Sequence, residues 1–431
     1  MQDYLLIQGP PGTGKTSLYL MAIIKQHLIK NDTPVVVLAF TNRAVEEICQ
    51  NLRKNELEYI LLGTNKEDKN HISNLFMESI DVKMTEAFFS ELEKIKKKIK
   101  ETKIFVSTVA NFSSDSASLQ KLINLDLLIV DEASQLLEYQ LIGIVAMFQK
   151  FILIGDHYQL PAVSTQKNLA LSKDLEDVFG FKSLTDSLFE RLHRNCIKHG
   201  WQKAYDLLPE HYRMHKEIER LVNPFYDDKL RSVLDRQAKP FELYKILPSV
   251  QDDKKTINCQ LSTINYQPST VNCQLSTINY KLFTSRTIFI NTIEISNTRF
   301  NIEEAEKVIK IINIIYESLK ENFLPSTIGV ICTWKLQANL ISSKLIEFPY
   351  NHLITIDTVE RFQGSERDVI IYSTAISSQE QLKRMQSLTF DNKVDRKLNV
   401  AISRAKEQFI MLGNKEILSE SVHYKNIIDK I

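Results

Sequence analysis

Cysteine is scarce in this 431-residue chain. The five that occur, Cys49, Cys196, Cys259, Cys273 and Cys332, never stand at a C-x₂-C spacing and have no paired histidine cluster, which argues against a structural zinc site or a disulfide framework. They read as reduced, cytosolic thiols. An excess of one charge is also missing. With 54 Lys and Arg against 53 Asp and Glu the formal net charge is +1, so there is no global basic field, and any polyanion must be met by a local groove. No apolar run reaches the roughly 18 residues that span a bilayer, and nothing resembles a secretory h-region. The expectation is a cytoplasmic protein with no membrane partner. What remains is an ordinary globular composition, 43% hydrophobic and 25% charged, at a length suited to two or three domains.

The strongest positive signal is Gly9-Pro10-Pro11-Gly12-Thr13-Gly14-Lys15-Thr16, between the apolar run Tyr4-Leu5-Leu6-Ile7 and a segment of helical spacing. Glycines let backbone N–H groups turn inward around a phosphate, Lys15 can reach the β- and γ-phosphates, and the Thr16 hydroxyl suits Mg²⁺. The second signal is Leu125–Glu132, an apolar run ending in Asp-Glu. Downstream of a phosphate loop, Asp131 is expected to hold the metal and Glu132 to orient and deprotonate the attacking water.

Further continuous apolar runs of the buried-strand kind are Val35–Phe40, Ile104–Thr108 and Phe151–Asp156. Thr41 and Asn42, after the first of these, suit either a helix cap or a phosphate-backbone contact. Residues 73–101 have helical spacing and carry the lysine run Lys94, Lys96, Lys97, Lys98 and Lys100. A solvated helix face is the expected reading of that run, with a nucleic-acid arm as the alternative. Ser113–Ser118 reads as a polar loop. Gln159, just past a strand end, could sense a γ-phosphate.

GPPGTGKT, LAFTNRA, FVSTV, LLIVDEASQ, FILIGDHYQLPAV, EHYRMHKEI, IGVICTWKLQ, IDTVERFQGSERDVII and LNVAISRAK follow one another from residue 5 to residue 413. In content and order they resemble the superfamily 1 helicases of the 5′-to-3′ branch. The resemblance implies an α/β fold of two RecA-like parallel-sheet lobes with an ATP cleft between them. It implies Mg²⁺-dependent ATP hydrolysis coupled to 5′-to-3′ stepping and duplex opening on single-stranded or forked DNA, with RNA as an alternative, by a monomer. Carried over by position, Lys15 and Thr16 bind phosphates and Mg²⁺, Asp131 and Glu132 are the metal and base carboxylates, and Gln159 touches the γ-phosphate. Arg213 and Arg404 match the arginine fingers, Tyr212 the adenine contact, and Gly364 and Glu366 the contacts near ribose and γ-phosphate. Thr41, Asn42, Thr108, Pro161, Thr333 and Thr358 match motifs that touch the nucleic-acid strand.

The expected organisation is lobe 1 over residues 1–210, with a helical insertion at about 64–101, and lobe 2 over 211–431. A polar insertion at about 250–284 contains a nine-residue stretch, Asn258–Tyr266, repeated verbatim at Asn272–Tyr280. Two copies are too few for a solenoid, and the uncharged Asn/Gln/Ser/Thr bias suggests a loop or hairpin. In lobe 2, His215–Tyr226 and Glu303–Lys320 read as helices, and Thr287–Ile290, Ser326–Ile331, Asp368–Ser373 and Gln408–Leu412 as strands. Trp334 is expected to pack in the fold rather than to stack on a base. The family's adenine-reading glutamine motif has no room before Gln2-Asp3 and is expected upstream of this sequence, and its β-barrel arm is not legible in residues 55–101. A truncated fragment that binds nucleotide and strands with little unwinding is the alternative to a working motor; a nucleotide-holding clamp is the alternative from another class.

Overall fold

The computed structural model describes residues 4–31, 33–63, 71–72, 86–162, 180–181, 183, 186–240, 282, 284–293 and 298–431. The chain divides into two compact units, Met1–Pro209 and Glu210–Ile431.

In the first unit the described strands are β1 (Tyr4–Gln8), β2 (Val35–Ala39), β3 (Ile60–Leu61), β4 (Ile104–Thr108), β5 (Leu127–Asp131), β6 (Lys150–Gly155) and β7 (Tyr205–Leu207). They form one sheet in the order β3-β4-β2-β5-β6-β1-β7, and every pairing is parallel. The central strands are apolar without a break because both faces are covered. Val36, Leu38, Phe105, Leu128, Val130 and Leu153 bury into one core, while Val35, Val37, Ala39, Val106, Ile129 and Ile154 bury into another on the opposite face. This is the period-two alternation of a strand, hidden in the sequence because both sides are hydrophobic.

The helices Leu20–Lys30 and Asn42–Lys54 supply the second of those cores. The helix Glu86–Glu101 buries Ile95 and Ile99 against the first. Its five lysines all face solvent, with Lys96 paired to Glu93 at 2.8 Å, as a solvated face requires. Residues 73–85 lie outside the described residues.

Ser113–Ser118 is helical, not a loop: it belongs to the helix Val109–Gln120. Thr108 caps that helix by accepting from the Asn111 N–H at 3.2 Å. Val109, Phe112, Ser116 and Leu119 form a buried stripe at helical spacing, so tertiary packing overrides the poor helix preference of serine.

The second unit holds β8 (Glu210–His211) paired with β9 (Arg231–Ser232), and a sheet of β10 (Thr287–Asn291), β11 (Ile328–Cys332), β12 (Thr355–Thr358), β13 (Arg367–Ser373) and β14 (Ala405–Gly413). The sheet order is β10-β14-β13-β11-β12, again with parallel pairings throughout. Helix Ile302–Leu319 lays Ala305, Val308, Ile312 and Ile315 on its core. The repeat Asn258–Tyr280 lies outside the described residues. Among the described residues, no helix is long and apolar enough to cross a membrane.

Candidate active site

In open parallel sheets, ligands meet the carboxyl ends of the strands. In the first unit those ends bring together β1, β6 and β5, which are neighbours in the sheet although far apart in sequence. β1 runs into the loop Gly9–Gly14. Gly12 and Gly14 adopt positive φ of 78° and 74°, a region other residues enter at a cost. Thr13 donates its hydroxyl to the Pro10 carbonyl at 2.9 Å, and Pro10 and Pro11 are buried beneath the turn. Lys15 and Thr16 open a π-helical turn, Lys15–Tyr19, that continues as Leu20–Lys30. The Lys15 ammonium donates to the Gly9 carbonyl at 2.7 Å, folding the side chain back over the loop. A Cβ on Gly9 would sit 2.2 Å from Lys15 Cγ.

At the end of β5 the Asp131 carboxylate accepts the Thr16 hydroxyl at 2.6 Å, across 115 positions of sequence. Burial pushes the Asp131 carboxyl up to about 6, helped by the neighbouring Glu132 carboxylate and opposed by the Thr16 bond and by Lys15. A buried carboxylate beside a hydroxyl is a hard-oxygen pair of the kind that Mg²⁺ uses together with phosphate and water oxygens. Among the described residues no cluster of three or more His, Cys, Asp or Glu could hold a metal by itself. Glu132 stands at φ 53°, a left-handed conformation uncommon for a side-chain-bearing residue and characteristic of functional sites. Its carboxylate accepts from Gln135 Nε2 at 2.9 Å.

β6 delivers Asp156, which sequence reasoning did not single out. Its wholly buried carboxylate accepts from Gln159 Nε2 at 2.8 Å and from Gln8 Nε2 at 3.1 Å, so Gln159 is oriented by a carboxylate that also holds the last residue of β1. The available signal was an acid at a strand end three residues before the glutamine. Along the same sheet edge, Ala39 lies level with both Thr108 and Asp131. Thr41 and Asn42 are exposed there, and Thr41 accepts from the Ala44 N–H at 3.2 Å as a helix cap. Thr108 is buried in its own cap, and Pro161 is partly exposed.

In the second unit the expected residues separate onto two edges of the sheet. At the amino ends of β13 and β14, Arg213 Nε donates to Glu366 at 2.5 Å and Arg213 Nη1 to the Ser403 carbonyl at 3.3 Å, beside Arg404, which is only 2% exposed. Lys406 pairs with the other oxygen of Glu366 at 2.8 Å. Burial alone would raise the Glu366 carboxyl, but Arg213 and Lys406 overcome it and hold it at about 2. Gly364, at φ 78°, makes the turn that leads there, and Tyr212 is half-buried next to Arg213. At the carboxyl edge, Cys332, the last residue of β11, pairs with Thr358, the last residue of β12, and Thr333 follows Cys332 directly. Thr333 is turned inward, its hydroxyl 3.3 Å from Tyr372 OH and 3.2 Å from Met385 Sδ. Trp334 packs in the fold, donating to the Ala375 carbonyl at 3.2 Å with Arg299 lying 5.3 Å over its ring.

Residues 184–416 match a family described as an AAA domain, and residues 1–165 match a second family of that description. Over its whole length the chain is 27% identical to a DNA replication ATP-dependent helicase/nuclease of Arabidopsis thaliana, covering 28% of that protein. It is 27% identical to the corresponding helicase/nuclease of Mus musculus, over 96% of the chain and 36% of the relative. It is 26% identical to the ATP-dependent helicase upf1 of Schizosaccharomyces pombe, over 96% of the chain and 43% of the relative. It thus spans less than half the length of these curated relatives. The crystal structure of Arterivirus nonstructural protein 10 (helicase) aligns with 97% of this chain and 61% of its own, at a TM-score of 0.44 and 12% identity. With one family pattern covering more than half of the sequence and these relatives extending over nearly all of it, the chain belongs to the AAA-domain family of the superfamily 1B helicases.

Proposed function

We propose that this chain is the motor region of an ATP-dependent helicase that moves 5′ to 3′ along single-stranded DNA and couples ATP hydrolysis to duplex opening. The observation that carries the reading is the 2.6 Å bond from Thr16 of the phosphate loop to Asp131, which sets a phosphate-binding lysine, a metal-suited oxygen pair and the Glu132 carboxylate at the ends of β1 and β5, the two strands that flank β6. The choice of DNA is supported by the names of the relatives, two of which are DNA replication helicase/nucleases.

In this mechanism the backbone of Gly12–Thr16 surrounds the phosphates and Lys15 leaves the Gly9 carbonyl to meet the β- and γ-oxygens. Thr16 and Asp131 would hold Mg²⁺, which when bound neutralises charge on the phosphate oxygens. Glu132, fixed by Gln135, takes a proton from the attacking water. Gln159, held by Asp156, reads the γ-phosphate. Arg213 and Arg404 stabilise transition-state charge, a contribution on the order of 10³–10⁵ in rate in other phosphoryl-transfer enzymes. Tyr212 faces the adenine, and Gly364 and Glu366 lie by the ribose and γ-phosphate. Thr41, Asn42, Thr108, Pro161, Thr333 and Thr358 belong to the motifs that follow the strand, whose contacts, being to phosphates, weaken with salt.

The test is ATP turnover with and without single-stranded DNA or RNA, in the parent chain and in Lys15→Ala and Glu132→Gln. Turnover stimulated by DNA and lost in both variants is the expected result. Turnover indifferent to either polymer, or unchanged in Glu132→Gln, would refute the motor reading; tight strand binding with no turnover would make the chain a clamp.

A further inference from the structure

Tyr212 and Arg213 sit on a connection between β8 and the helix Lys216–Val222, where the carbonyls of a short loop have no ladder to join. Four successive carbonyls, from the last residue of β8 into the loop, are nonetheless bonded, all by two adjacent side chains. Arg236 Nη2 donates to the Tyr212 carbonyl at 2.5 Å and to the Arg213 carbonyl at 2.9 Å. Gln237 Nε2 donates to the His211 carbonyl at 3.2 Å and to the Met214 carbonyl at 2.7 Å. Both belong to one 3₁₀ turn, Asp235–Ala238.

The turn is itself fixed. Gln237 is fully buried, and its oxygen accepts from the Val233 and Leu234 N–H groups at 3.0 and 2.6 Å. Arg236 Nη1 donates to Glu407 at 3.1 Å, and the second oxygen of Glu407 takes Arg286 Nη1 at 2.6 Å. Arg286, 2% exposed, also donates to the Lys239 and Pro240 carbonyls at 2.9 and 3.0 Å. Glu407 lies on β14, three residues past Arg404, and the His215 N–H bonds the Lys406 carbonyl on the same strand at 2.9 Å.

We propose that Arg236, backed by Gln237 and Glu407, is a positioning residue that sets the aim of Arg213 by tying its backbone to β14, the strand that Arg404 immediately precedes. The inference rests on the reading of Arg213 as the arginine that meets transition-state charge. Arg236 is too exposed, at 38% of its side chain, for its ion pair with Glu407 to contribute much by itself. What it supplies is a planar fork bonding two carbonyls and a carboxylate at once, which the single ammonium of lysine cannot reproduce. Misplacement of a catalytic group by about 1 Å costs on the order of 100-fold in rate, so loss of the fork should appear in turnover before it appears in folding.

The test uses the full chain with Arg236→Ala, Arg236→Lys, Arg213→Ala and the Arg213→Ala/Arg236→Ala double variant. Steady-state DNA-stimulated turnover is measured at saturating ATP, alongside strand affinity and Tm. The expected result is a kcat about 10- to 100-fold below the parent in both Arg236 variants, with strand affinity kept and the Tm of Arg236→Lys close to that of the parent. In the Arg213→Ala background the Arg236→Ala change should cost nothing further, because it acts only through Arg213. Parental kcat in Arg236→Lys, or losses that multiply in the double variant, would overturn the proposal. A parent without turnover, or Arg213→Ala at the parental rate, would instead refute the assignment of Arg213 on which it rests.

Discussion

Glu304 offers a measurement of how dry the interior of the second unit is. It lies in the first turn of helix Ile302–Leu319, its N–H donating to the capping Asn301 side chain at 2.8 Å. Its carboxylate is fully buried and accepts from Thr292 Oγ1 at 3.1 Å, Ser373 Oγ at 2.7 Å and the Ala375 N–H at 3.0 Å. Burial outweighs these three bonds and pushes the carboxyl from 4.5 up to about 7. Since the folded-state value lies above the unfolded one, the stability conferred by the protonated form is fully present below about pH 4.5 and is lost as pH rises to about 7. The difference is worth about 3 kcal/mol. Glu304→Gln, close in shape to the protonated acid but unable to ionise, removes that loss. The chain has two tryptophans, so Trp201→Phe, at a position 48% exposed, leaves Trp334 as the sole reporter of the second unit. Trp334 donates to the carbonyl of Ala375, the same residue whose N–H donates to Glu304. Urea titrations of this pair of proteins between pH 4.5 and pH 8 should show the Glu304→Gln variant gaining about 3 kcal/mol on its parent across the range. Parallel stability curves would refute the reasoning, since they would mean the carboxylate ionises in the folded unit as easily as in the unfolded one.

Two glycines should part company on substitution. In Gly9→Ala the new methyl meets the Lys15 side chain, so ATP turnover should fall with little change in Tm. In Gly155→Ala it comes 2.8 Å from the Ser134 backbone nitrogen, which cannot swing aside, so unfolding of the first unit should become easier by about 1–3 kcal/mol; a parental Tm there would contradict the contact. At the acid end, Glu366 is held at about 2 by Arg213 and Lys406 against the opposing effect of burial. Its stabilisation is present above about pH 4.5 and is lost as pH falls toward 2. Glu366→Gln should therefore flatten the acid limb of the stability profile of the second unit, and an unchanged limb would show that the pairing contributes nothing.

Much of the fold was legible because buried parallel strands are written as unbroken apolar runs. Val35–Ala39, Ile104–Thr108, Leu127–Asp131 and Ile328–Cys332 all stand within three residues of where such runs placed them. Short edge strands left no such trace: Ile60–Leu61 and Tyr205–Leu207 are set by pairing with a neighbour rather than by their own residues. The serine-rich helix Val109–Gln120 was missed because its stabilisation lies in the buried stripe through Phe112 and Leu119, not in local preference.

The phosphate loop, the strand-end Asp131-Glu132 pair and the family were determined by sequence alone, because glycine placement, a lysine and a strand ending in carboxylates are local chemistry. Only tertiary structure decided what those groups touch. The Thr16–Asp131 bond, the Asp156 carboxylate shared by Gln8 and Gln159, and the Glu366 oxygens divided between Arg213 and Lys406 join residues that sequence keeps far apart. Strand order brings them together, and strand order follows from how the apolar faces are buried, a property of the whole sheet that no single motif contains.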